Sequence, residues 1–206
     1  RCKRALILIL FGLLKKYTIA NLLVHEIANI LDAPTEKTPG SAIVFAILLY
    51  SAQQYADFSG GIDIVMGVAE LFGIKMMPNF RQPYFSVSLG DFWRRWHISL
   101  GMWFRDYVYI PLGGSHVEKK MIMIRNLFVV WLLTGIWHGA NWTFIIWGLW
   151  YFVLLTFEKI TKIPRKLKSC CSRLIYGLLT FVSICDIMIC GSVVLYRGII
   201  QHYLGS

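Results

Sequence analysis

The chain has 206 residues, of which 57% are hydrophobic and 15% aromatic, with a mean hydropathy of +0.58. Only 16% are charged, yet the formal net charge is +10. That apolar excess excludes an ordinary soluble domain. The basic residues sit beside apolar segments instead of forming a stripe on a soluble face, which excludes a nucleic-acid partner. The expected fold class is an all-α polytopic membrane protein, with the lipid bilayer as its first partner.

A span needs about 20 mostly apolar residues. Ala5–Leu14 is apolar but stops at Lys15-Lys16, which predicts a short span or an interfacial helix. The Asp32–Pro39 connection carries Pro34 and Pro39. Ser41–Phe58 predicts a span, and the Gly60-Gly61 pair just past Asp57 predicts a helix break, with Asp57 free to pair with one of the arginines. Ile62–Ile74 predicts a short amphipathic helix closed at Gly73. Pro78 to Pro83 reads as a turn segment.

Asp91 to Tyr109 predicts a second amphipathic helix. Trp93, Trp96, Leu100, Trp103 and Tyr107 recur at helical spacing, and Asp91 precedes Arg95 by four residues. Pro111-Leu112-Gly113-Gly114 ends it. Its aromatic stripe suits the membrane interface. Met121–Trp137, Trp142–Phe157 and Leu174–Leu195 predict the remaining spans.

Charge sets an orientation. Glu158 to Arg173 holds six Lys or Arg against one acid, so that loop is expected in the cytoplasm. Lys119-Lys120 and the basic residues between Ser59 and Lys120 agree with it. His97 then lies on the inward side, and His138 and the Asp32–Pro39 connection on the outward side. The chain opens at Arg1 without a secretory cleavage pattern and reads as a piece of a longer protein whose N-terminal spans precede it. The five cysteines, Cys2, Cys170, Cys171, Cys185 and Cys190, lack metal-site spacing. Cys170-Cys171 is either a reversibly palmitoylated pair or two reduced thiols.

The run Thr134-Gly135-Ile136-Trp137-His138-Gly139-Ala140-Asn141-Trp142 places a histidine between two long apolar segments. An ionisable group at membrane depth is costly and points to function, and imidazole moves protons near neutral pH. His138 is therefore either a general base or a helix-terminal histidine bonded to a carbonyl. Trp137, Asn141 and Trp142 are candidates to position it or a substrate. His97 is either a second polar residue of a reaction chamber or an interfacial histidine. Arg94, Arg95 and Arg105, beside Trp96, could hold a donor phosphate or anchor the helix to headgroups. Asp57 reads first as structural. His25, His116 and His202 carry no assignment. There is no P-loop, nucleophile elbow or His-Glu-x-x-His zinc motif, and no metal is expected.

These blocks together resemble the membrane-bound O-acyltransferase family, in its bacterial alginate O-acetyltransferase-like branch. The resemblance rests on Gln54 to Gly60, on Asn79 to Tyr84 followed by Asp91 to Gly114, and on Thr134 to Trp142. It covers roughly 5–163. Residues 164–206 diverge: near Ile184 to Cys190 the chain lacks the Trp and Phe-Arg pair usual in the branch, and Asp186 interrupts the apolar run. The chain is thus expected to be one partial membrane domain, 1–206, with a helical core around a tunnel and interfacial or re-entrant amphipathic helices.

The resemblance implies that His138 is the essential catalytic histidine and His97 the second polar residue of the same tunnel. It implies acetyl transfer from a cytoplasmic thioester such as acetyl-CoA, with no tightly bound cofactor. The acceptor would be an exported cell-surface polysaccharide, reached through a secreted or periplasmic acetyltransferase partner. Localisation would be the inner (cytoplasmic) membrane, multi-pass. Two alternatives stay open: D-alanyl transfer from a carrier protein to teichoic acid, and a non-enzymatic transport or scaffold subunit. A transporter should show two similar halves, and no second half is visible in this sequence.

Overall fold

The structure, a computed structural model, describes residues 1–31, 39–115, 119–139, 141–169 and 171–185. All regular structure among the described residues is helical. The chain divides into two compact units, Arg1–Asn79 and Phe80–Ser206.

In the first unit, α1 (Cys2–Leu13) and α2 (Asn21–Leu31) are joined by a π-helical stretch, Leu14–Ala20. The result is one 30-residue helical rod, Cys2–Leu31, long and apolar enough to cross a membrane. The expectation that Lys15-Lys16 ends a short helix is therefore corrected. Their charges are neutralised by α3 (Gly40–Leu71): Lys15 Nζ lies 2.6 Å from Asp63 Oδ2, and Lys16 Nζ bonds Asp57 Oδ1. Asp57 thus pairs with a lysine, not with one of the arginines.

The helix break expected at Gly60-Gly61 does not occur, and α3 runs unbroken through Ile62 to Leu71. Gly60 serves packing instead. A Cβ on Gly12 would stand 2.5 Å from the Gly60 carbonyl oxygen, so the two helix backbones touch there. The separate helix expected over Ile62–Ile74 is the end of α3, closed by a turn in which Gly73 takes φ +87°. Length alone favours α3 as a span, but Ser51, Gln53, Gln54, Asp57 and Asp63 dilute its apolar run. The helices that meet both length and apolarity, among the described residues, are Cys2–Leu31, α6 (Lys120–His138) and α7 (Trp142–Thr161).

The second unit opens with a 3-10 turn, Pro83–Phe85, then α4 (Leu89–Arg95) and α5 (Ile98–Phe104), which runs into a π-helical stretch, Arg105–Tyr109. The single helix expected over Asp91–Tyr109 is broken. Trp96 is extended and His97 sits in the left-handed region at φ 45°, so the tryptophans do not share one helical face. Tight caps explain the early stop. Ser88 Oγ accepts from the Asp91 amide at 3.1 Å, and the Arg81 amide donates to the Arg95 carbonyl at 3.0 Å, fixing both ends of α4.

Gly113 and Gly114 turn the chain with positive φ, as expected. Asn126 on α6 is fully buried and donates to the carbonyls of Leu112 and Gly114 at 3.0 and 3.2 Å, tying that turn to the helix. After α7 come α8 (Ile163–Lys166) and the apolar helix α9 (Cys171–Cys185). The rest of the Leu174–Leu195 span, Asp186, Cys170, Cys190, His116, His202 and most of the Asp32–Pro39 connection lie outside the described residues.

Helices α6 and α7 form an antiparallel hairpin across a short connection. A Cβ on Gly148 would meet the Trp131 carbonyl oxygen at 2.5 Å, so the two backbones cross at Gly135 and Gly148. Trp131 and Thr134 on α6 are buried with Trp147 and Tyr151 on α7. On α7, exposed Ile146, Trp150, Val153 and Phe157 follow helical spacing on the opposite side, an apolar stripe that suits lipid.

A paired-histidine candidate active site

His138 is the last residue of α6, and Gly139 caps that helix in extended backbone. A Cβ on Gly139 would meet the Phe144 ring at 2.8 Å, so glycine is what lets the chain turn close beneath the imidazole. The His138 ring is surrounded by aromatic rings. Trp147 lies 4.8 Å away, Trp137 4.9 Å and Phe144 6.3 Å, centroid to centroid. Behind Trp147 the wall continues through Trp93, Trp131 and Tyr151, whose centroids lie within 5–6 Å of one another.

His97 reaches the same place from the break between α4 and α5. Its ring lies 6.2 Å from the Trp137 ring, which in turn lies 4.9 Å from the His138 ring. A non-glycine residue in the left-handed region costs about 1–3 kcal/mol and tends to persist where surrounding structure demands it. Here the demand is clear: as the last residue before α5, His97 accepts the Gly101 amide on its carbonyl at 3.1 Å while its ring is turned toward Trp137. Burial holds the His97 imidazole below its usual pKa, so the neutral base dominates at pH 7. Two half-buried imidazoles on either side of the Trp137 ring, itself 57% exposed, can accept and return protons.

The remaining candidate residues distribute as follows. Trp96 is buried against Phe80, Tyr84 and Phe92 and supports the α4 side of the site. Arg95 bonds Asp91 at 2.9 Å and Arg94 reaches the same carboxylate at 3.3 Å with most of its side chain exposed. Burial raises the Asp91 pKa, but hydrogen bonds from Arg95 and the Val87 amide, with the nearby arginine charges, outweigh it and hold the carboxyl below its usual range. Arg105 is exposed and pairs with Asp106 at 2.7 Å. Asn141 caps α7, its Oδ1 accepting from the Thr143 amide at 3.4 Å and from the Thr143 hydroxyl at 3.0 Å, and Trp142 is exposed. Asp57 belongs to the first unit, where Lys16 holds it.

Several residues that shape the site were not singled out from sequence. Trp147 and Tyr151 stand in a helix apolar on every side, so periodicity does not mark the inward face. Glu158 counts in the sequence as the one acid of a basic loop. In the structure its two carboxylate oxygens accept the Leu89 and Gly90 amides at 2.9 and 3.0 Å, and Tyr176 donates to it at 3.2 Å. It thereby anchors the start of α4, the helix that presents His97. Among the described residues, no three His, Cys, Asp or Glu side chains gather as metal ligands.

Helical membrane architecture with two histidines that meet at one tryptophan ring is an arrangement suited to proton transfer. Residues 2–196 match the family model of MBOAT, the membrane-bound O-acyltransferase family, and the chain belongs to that family. It is 48% identical to the probable alginate O-acetylase AlgI of Azotobacter vinelandii over 158 residues, which is 77% of this chain and 31% of that protein. It is 41% identical over 174 residues to the peptidoglycan O-acetyltransferase of Helicobacter pylori, covering 82% of this chain and 32% of that protein. It is 39% identical over 130 residues to the teichoic acid D-alanyltransferase of Bacillus subtilis, covering 58% of this chain and 33% of that protein. The chain spans about a third of the length of these relatives.

Proposed function

We propose that this chain is the histidine-bearing part of a multi-pass O-acyltransferase of the inner (cytoplasmic) membrane. It moves an acetyl group from a cytoplasmic thioester, acetyl-CoA or a close equivalent, toward hydroxyls of an exported polysaccharide, through a secreted or periplasmic acetyltransferase partner. The observation that carries this reading is the meeting of His97 and His138 at Trp137.

His138 acts as general base. Its imidazole takes the proton of the accepting hydroxyl as the oxygen attacks the thioester carbonyl. The C–S bond then breaks, and the thiolate leaves with the proton returned by the imidazolium. Neutral His97 orients the donor or hydrogen-bonds its carbonyl. The buried Trp147 ring beside His138 limits water at that side of the thioester, which limits hydrolysis. Arg94, Arg95 and Arg105 on the donor side, Trp96, Asn141 and Trp142 line or border the path. Asp57, within α3, has a structural role, held by Lys16. No step needs a resident cofactor or metal.

The resemblance to a teichoic acid D-alanyltransferase supports a second reading, D-alanyl transfer from a carrier protein. Membranes carrying the full-length protein, given labelled acetyl-CoA or labelled D-alanyl carrier protein in separate reactions, distinguish the two. Label entering polymer from acetyl-CoA alone is the expected result. Label from the carrier alone establishes the second reading. Uptake of intact donor into vesicles with no transfer would indicate a transporter.

A further inference from the structure

Glu158 and Lys159 stand side by side near the end of α7, and each reaches a different end of the segment that carries His97. An acid near a helix C-terminus opposes the helix dipole, so its place there is set by what it binds. Glu158 Oε2 accepts the Leu89 amide at 2.9 Å, and Oε1 accepts the Gly90 amide at 3.0 Å. These are the first two amides of α4, which have no acceptor within that helix. The next, Asp91, donates to Ser88 Oγ, and Phe92 donates to the Ser88 carbonyl. The opening amides of α4 are thus all satisfied, two of them from α7. A Cβ on Gly90 would stand 3.0 Å from Glu158 Oε1, so a bare Cα suits the close approach. Tyr176 on α9 donates to the same carboxylate at 3.2 Å.

Lys159 Nζ donates to the Tyr109 hydroxyl at 2.7 Å and lies 5.0 Å from the centre of that ring. Tyr109 closes the π-helical stretch that follows α5. His97 lies between the two held points, at a break where Trp96 is extended and His97 itself takes φ 45°. No helix runs through that break, so the imidazole takes its place from the segments on either side. Successive side chains leave a helix about 100° apart. One rigid element can therefore hold both points with adjacent residues.

We infer that Glu158 and Lys159 are positioning residues for His97, a two-point clamp that holds the start of α4 and the end of the Arg105–Tyr109 stretch and so fixes the imidazole between them. The inference rests on the proposed role of His97 in acyl transfer. It makes α7 the element that orders both histidines, because Trp147 of the same helix packs on His138. A displacement of about 1 Å in a reacting group can cost about 100-fold in rate, which is what such a clamp prevents.

The test uses the full-length protein in detergent and diethylpyrocarbonate, which modifies neutral imidazole. Peptide mass spectrometry reads the rate at His97 and at His138 separately. Glu158→Gln keeps the size and removes one acceptor oxygen and the charge. It should speed modification of half-buried His97 about tenfold, the local opening expected when hydrogen bonds to a charged group are lost, and leave His138 unchanged. Tyr109→Phe removes the hydroxyl at the other point and should speed His97 about fivefold. Thr161→Ala, at the same helix end, where the hydroxyl bonds the Phe157 carbonyl of its own helix, should change neither rate. A wild-type rate at His97 in both clamp variants, or an equal rise at His97 and His138, overturns the inference. A response to one variant and not the other overturns the two-point arrangement. Should Glu158→Gln fail to fold, Tyr109→Phe decides alone. Acyl transfer is measured on the same samples and should fall in step with the rise at His97. Wild-type transfer by His97→Gln would refute the role of His97 in the reaction, whichever way the modification rates decide the clamp.

Discussion

The rings of His138 and Trp147 lie 4.8 Å apart at an interplanar angle of 53°, across the hairpin of α6 and α7. The candidate base therefore takes its orientation from the helix that follows it, and Trp147 is in turn backed by Trp93, Trp131 and Tyr151.

Removing that support should be costly. Trp147→Ala is expected to destabilise the protein by about 3–5 kcal/mol, the range for a buried tryptophan. It should also lower acyl transfer beyond the loss of folded protein. Trp147→Phe should recover most of both. Thermal unfolding in detergent, with transfer normalised to folded protein, checks this. Wild-type stability in the alanine variant would show that Trp147 does not hold the site.

Asn126 supports the site from further away. It is fully buried, and its amide serves the carbonyls of Leu112 and Gly114. Asn126→Ala leaves both carbonyls without that donor, at about 1–3 kcal/mol. The same unfolding assay measures it, and hydrogen exchange at Gly113 to Ser115 should quicken.

Lys15 and Asp63 form an ion pair with side chains only 15% and 20% exposed. Lys15→Ala strands a carboxylate and should cost about 3 kcal/mol or more. Lys15→Ala with Asp63→Ala should cost less than Lys15→Ala alone, because no charge is then stranded. A double-mutant cycle reads the coupling directly. Additive losses would show that the pair does not interact.

These cases show what was legible in the sequence. The spans α6 and α7 and the histidine block between them follow from apolar length and one isolated ionisable residue. The rod Cys2–Leu31 did not, because the carboxylates that neutralise Lys15 and Lys16 lie 48 and 41 residues away. The break at His97 was hidden because no Gly or Pro marks it and the aromatic spacing continues through it. Its cause is largely tertiary: beside the local Ser88 cap, the Arg81 amide bonds the Arg95 carbonyl and Glu158 from α7 holds the start of α4. The two histidines were each visible, but their nearness was not, since charge counting assigns sides and carries no distance.

Burial lowers the His97 pKa, which sets a sign for pH. The unfolded chain binds a proton at about pH 6.5 while the folded chain resists it. Stability should therefore fall as pH drops below about 6.5 and stop falling below the folded pKa. His97→Gln should flatten that part of the stability profile. An unchanged profile in the variant would show that His97 is not the group responsible.

The most direct test of the central claim is acetyl transfer by the full-length protein with His138→Ala, using labelled acetyl-CoA and matched amounts of inserted protein. Loss of a positioned general base predicts a fall of about 10²–10⁴-fold with insertion unchanged. Transfer at the wild-type rate in that variant would contradict the assignment of His138 as the base.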